Sequence, residues 1–128
     1  MLATRFFKTA LIFLIVAMFL GMYMGPAGDF RLKHVHVHLN LLGWATMALV
    51  GLLYSVRPEL EQGRLPRVHY WLHTIGLTIF MGGFAYGVLS GKFRGIPVAG
   101  GATMVLIGML MFAFHVFRNM KPLAGAAK

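Results

Sequence analysis

The side chains best equipped for chemistry in this chain are its six histidines, and three of them fall within KHVHVHLNLLG, residues 33–43. His34, His36 and His38 alternate with valines, and Asn40 continues the alternation. An imidazole offers a lone pair to a metal or a haem iron from one ring nitrogen while the other keeps its proton. The residues that follow, as far as Val56, are apolar. The three imidazoles therefore stand at the mouth of a membrane span, where polar side chains are expensive and mark functional sites. On a helix successive residues turn by about 100°, so His36 and His38 project from nearly opposite faces and reach different partners. His34 and His38, four apart, share a face and suit chelation of one ion. The alternative reading makes all three amphipathic residues of the membrane boundary with nothing to bind.

Further candidates lie elsewhere. HYWLH places His69 and His73 one helical turn apart, and FAFHVFRN carries His115. These three form a candidate second site for a cofactor, a metal or a quinone. In the competing reading His69 and His115 snorkel to the boundary while His73 bonds a neighbouring backbone. Met22 and Met24, close to the histidines in depth, are candidate soft ligands for copper or haem iron, or else core filler. Glu59 and Glu61 could form a carboxylate pair, but the arginines around them on a solvated loop favour charge neutralisation instead.

The elements that must position these side chains are helices in lipid. The chain is 59% hydrophobic with a mean hydropathy of +0.75, which excludes a water-soluble domain. Four apolar segments, at about 7–25, 35–56, 69–90 and 96–117, each approach the roughly 20 residues needed to cross a bilayer. The expected fold is all-α, a single transmembrane domain of four helices. The formal charge of +9 resides in short loops and termini, so it reads as topology and not as a nucleic-acid surface. With no cysteine there are no disulfides, no thiolate-bound clusters and no covalent c-type haem; any haem is held by coordination and packing. The first segment has no cleavage pattern after it and reads as a retained helix.

Arg5, Lys8, Arg57, Arg64, Arg67, Arg118, Lys121 and Lys128 fall at one end of the helices; Arg31, Lys33, Lys92 and Arg94 fall at the other. The positive-inside rule then places both termini in the cytoplasm of a bacterial-type inner membrane and turns the His34–His38 stretch outward. By residue count, His69, His73 and His115 should lie roughly 25 to 30 Å away, near the inner surface. One haem cannot bridge the two levels. A bis-histidine haem at the outer end therefore needs its second imidazole from another subunit. In a closed ring of copies, His36 of one chain faces His38 of the next.

The segment HLNLLGWATMALVGLLYSVRPEL resembles the second transmembrane helix of subunit I of the haem-copper oxidase superfamily, especially its nitric oxide reductase and C-type oxidase branch. There a His-x-Asn supplies an axial ligand of a low-spin haem b, and the pattern falls here on His38 and Asn40. The His-x-His of His36 and His38 also resembles a pair in a later helix of that family, whose two imidazoles serve two different haems. HxHLNLLGW followed by HYWLH is similar to small four-helix proteins catalogued as oxidase-like. The resemblance implies haem b binding, electron transfer, and a chain equivalent to one four-helix arc of a twelve-helix, pseudo-threefold core, so that a homotrimer would rebuild it. It implies neither the copper-ligand helix nor the cross-linked tyrosine of the family, which leaves any enzymatic reduction of oxygen or nitric oxide without a constellation to support it. Arg31 and Lys33 would be the partners of haem propionates. Copper bound by His34, His36 and His38 with nearby methionines is the alternative to haem. A quinone or a redox protein is the expected partner beside the bilayer.

Overall fold

The computed structural model describes residues 1–122, so Lys128 and the AGAA stretch lie outside the described residues. Helices make up nearly all of it, and no strand occurs among the described residues. Four are long and apolar enough to cross a membrane: α1 (Leu2–Ala27), α2 (Lys33–Val56), α3 (Leu65–Ser90) and α4 (Gly95–Asn119). A short 3-10 turn, Pro58–Glu61, links α2 to α3.

Three helices start before the expected positions, α1 and α3 by a full turn. α1 opens at Leu2 because nothing in LATRFFK breaks a helix, so Arg5 and Lys8 ride exposed on its first turns instead of preceding it. α2 opens at Lys33, which brings His34 into the helix, and α3 opens at Leu65 with Pro66 in the first turn, where its missing N–H costs nothing. Glycines end two of the helices: Gly28 and Gly91 adopt left-handed φ values of 61° and 67°, a conformation that L side chains resist.

The four helices form two antiparallel hairpins. On α1, Ala3, Phe6, Ala10, Phe13 and Ala17 are all buried, at alternating steps of three and four residues. That spacing is a left-handed coiled-coil seam in which small and large side chains take turns. α2 answers with glycines. A Cβ on Gly51 would lie 3.2 Å from the Ala3 carbonyl oxygen, and one on Gly43 would lie 2.7 Å from the Phe13 side chain. The second hairpin closes on Gly76 and Gly101. A Cβ on Gly101 would stand 2.6 Å from the Gly76 carbonyl oxygen, so the α3 and α4 backbones touch.

Few bonds tie the hairpins together, and most of them involve side chains named above. Thr9 and Tyr70 share a hydrogen bond of 2.8 Å, His73 reaches Leu42, and His115 reaches Leu60. Many large apolar side chains remain exposed, among them Ile12, Phe19, Leu49, Leu110 and Phe117, as expected of surfaces that face lipid or other chains.

α2 contains a feature that hydropathy does not announce. After the α-helical Lys33–His38 the backbone widens to a π-helix over Leu39–Thr46, then returns to α over Met47–Val56. Thr46 fills part of the widened ladder by donating its hydroxyl to the Leu41 carbonyl at 2.8 Å. π segments are rare and concentrate at functional sites, because the extra residue per turn re-aims the side chains around it.

Candidate functional site

The histidines at the start of α2 diverge. The His36 ring lies against α1, with Nδ1 2.7 Å from the Ala17 carbonyl oxygen, and it occupies the space left by Gly21, where a Cβ would come within 2.9 Å of its Cε1. The His38 ring turns towards α3 and meets Phe80 edge-on at 5.5 Å between centroids. Its Nδ1 is 2.8 Å from the His34 carbonyl oxygen.

Those two carbonyl contacts decide the tautomer. A carbonyl oxygen can only accept, so Nδ1 of His36 and of His38 must each carry the proton and donate it. Nε2 on each ring then holds the lone pair. Asn40 clasps His36 from one turn on, donating from Nδ2 to the His36 carbonyl at 2.9 Å, and the same Nδ2 is 3.4 Å from His36 Nε2. The latter distance is long for a hydrogen bond, so the Nε2 lone pair is little used. Metal-bound imidazoles are commonly prepared in this way, with the far N–H held by a carbonyl.

His34 and His38 share a face as their spacing requires, and together with Phe80, Met81 and Phe84 they line a cavity of about 180 Å³ between α2 and α3. His34 meets Phe84 edge-on at 6.0 Å. Met81 is a thioether that sequence spacing could not place here, since only the antiparallel packing of α3 on α2 brings it level with His38. Of the two methionines singled out from the sequence, Met24 is buried in the α1 seam while Met22 is exposed. No group of three or more His, Asp or Glu side chains converges to hold a metal ion among the described residues.

The charges beside these histidines are arranged differently from expectation. Arg31 is engaged by Asp29 through a 2.7 Å ion pair, and its guanidinium holds the Asp29 carboxyl down at about 2. Lys33 forms no ion pair among the described residues. At the opposite end of the bundle the two glutamates do not act as a pair. Glu59 takes a 2.5 Å ion pair from the buried Arg57, whereas Glu61 accepts from the Leu2 backbone N–H. Its own backbone N–H and then Arg57 hold the Glu59 carboxyl below its ordinary range.

The second histidine group corrects the depth estimate. His73 donates from Nε2 to the Leu42 carbonyl at 2.9 Å. Leu42 is four residues beyond His38, or about 6 Å along the helix, so His73 lies inside the bundle and not at the inner surface. His69 does not snorkel: it is buried between Phe6 and Phe112, with its ring 5.6 Å from that of His73. His115 is engaged elsewhere, donating from Nε2 to the Leu60 carbonyl at 2.9 Å while Asn119 Nδ2 lies 3.2 Å from its Nδ1. The three form no common cluster, because His115 spends both nitrogens on closing the inner turn.

Comparison with known proteins gives one match. Over 89 residues, taking in 60% of this chain and 19% of the relative, the chain is 33% identical to the Cbb3-type cytochrome c oxidase subunit CcoN1 of Stutzerimonas stutzeri. The chain thus covers about a fifth of the length of that relative. No protein-family profile matches, and no solved structure matches significantly. The chain is a distant relative of an oxidase subunit, with four helices capable of spanning a membrane.

Proposed function

We propose that this protein is an electron-carrying membrane protein that binds haem b between copies of itself, His36 of one chain and His38 of the next serving as axial ligands. The observation that carries this reading is the pair of Nδ1–H groups donated to the Ala17 and His34 carbonyls, which leaves both Nε2 lone pairs available on diverging faces. Two rings aimed apart cannot grip one iron from a single chain. His73 does not substitute, because its Nε2 is committed to Leu42 and its other nitrogen faces the interior. A ring of copies, a trimer by likeness to a threefold oxidase core, brings the two faces together.

The residues present fit such a group. Phe80 and Phe84 supply apolar walls, Gly21 leaves room for the His36 ring, and Lys33 offers a cation at the outer boundary for a propionate, Arg31 being taken by Asp29. Haem b supplies one-electron exchange when bound; the chain holds the ligand rings in one tautomer and orients them. The likeness to a cytochrome c oxidase subunit supports this choice of cofactor. The four apolar helices support a bilayer setting, which we read as an inner membrane with both termini cytoplasmic.

A copper-binding role is the second reading, favoured by the cavity that brings His34, His38 and Met81 together, two imidazoles and a thioether suited to Cu(I). The optical spectrum of protein purified from haem-replete, copper-replete cells separates the two. A Soret band with split reduced α and β bands supports haem b. Bound copper without such bands supports the second reading.

A further inference from the structure

His69 and His73 are given no task by the outer site. They lie one turn apart on α3, 1% and 0% exposed, with ring centroids 5.6 Å apart and planes at 84°. Because Nε2 of His73 donates to Leu42, its Nδ1 holds a lone pair, and that lone pair meets no donor among the described residues. Neither ring nitrogen of His69 has a partner among the described residues. Two neighbouring buried imidazoles, set edge to face and with unused lone pairs, call for a Lewis acid, and histidines four apart on one helix are spaced to chelate one.

The surroundings select its charge. Asp29, Glu59 and Glu61, the only carboxylate side chains in the chain, all stand outside the four spanning helices. Nothing within the bundle neutralises a dication, whose desolvation cost in a low-dielectric interior far exceeds that of a monocation. Phe6 and Phe112 flank the His69 ring at centroid distances of 5.4 and 5.1 Å and tilts of 38° and 30°. Their faces favour a positive charge spread over the imidazole between them. Among monocations available in cells, Cu(I) is the one that takes imidazole nitrogens and accepts low coordination, and Ag(I) is its laboratory surrogate.

We propose that His69 and His73 bind one Cu(I) ion inside the helix bundle, at a site separate from the His34–His38 stretch. Both rings coordinate as neutral imidazoles, so binding releases no proton and changes no oxidation state; the ion arrives reduced from its delivering chelator.

The test titrates Cu(I) anaerobically, against a competing chelator, into the full-length detergent-solubilised chain carrying His34→Gln, His36→Gln and His38→Gln. The expected result is one equivalent bound with two nitrogen neighbours by X-ray absorption, and at least a tenfold loss of affinity on adding His69→Gln or His73→Gln. Should those variants fail to fold, Ag(I) added to the otherwise unaltered ¹⁵N-histidine-labelled chain decides, the proposal requiring silver coupling at the His73 Nδ1 resonance. A triple variant that takes up no Cu(I), affinity unchanged by His69→Gln, or silver coupling confined to the outer histidines overturns it. None of these readouts involves haem, so this proposal and the haem reading fail separately.

Discussion

A ring nitrogen bonded to a carbonyl must carry the proton, and that single constraint leaves Nε2 of both His36 and His38 with a lone pair, on which the proposed ligation depends. The dependence on neighbours can be measured. Asn40→Leu removes the amide that clasps His36 and should lower haem affinity about tenfold or more, the usual cost of losing a residue that orients a ligand. Gly21→Ala drives a methyl against the His36 ring and should cost about 1 kcal/mol, roughly fivefold in haem retention, measured by haem-to-protein ratio after equal washing. A control lies at Arg31. Its pairing with Asp29 persists above the ordinary carboxyl value of 3.8 and is lost as pH falls through about 2, so Arg31→Gln should raise the Asp29 titration towards 3.8 in a carboxylate NMR titration. A sequence shows that His36 and His38 point apart, since two residues of helix fix that. It does not show which nitrogen holds the proton, because the accepting Ala17 carbonyl comes from another helix.

At the scale of elements, the hairpins depend on backbone contact at glycines. Gly101→Val would place side-chain atoms where the Phe80 backbone and the Gly76 carbonyl now lie, and no rotamer relieves a clash with backbone. The expected cost is about 3 kcal/mol or more, read as a lowered Tm and proteolysis of α4, whereas Gly100→Val, where a Cβ meets nothing, should leave both unchanged. Hydropathy made the four helices legible but not their true starts, because Arg5, Lys8 and Arg67 look like loop residues when charge alone is counted. The alternation of Ala3, Phe6, Ala10, Phe13 and Ala17 was present to be read as a seam. The π segment was not, since no residue in LNLLGWAT forbids an α-helix and only packing on α1 reveals the extra residue per turn.

At the scale of the molecule, the depth estimate from the sequence treated α2 and α3 as spanning the membrane in register from their apolar ends. α3 begins at Leu65, and His73 consequently reaches the level of Leu42, only one turn inward of His38. The proposal that haem is shared between chains therefore rests on the divergence of His36 and His38 and on the commitment of His73 Nε2, no longer on separation in depth. That sharing can be tested directly by co-expressing His36→Ala and His38→Ala chains. Each variant alone should carry no haem. In mixed rings, a site is whole wherever a chain retaining His36 precedes one retaining His38, which random assembly provides at about a quarter of positions. The account predicts recovery of about a quarter of the wild-type haem b absorbance on co-expression; no recovery above the single variants, while the wild type binds haem, would contradict it.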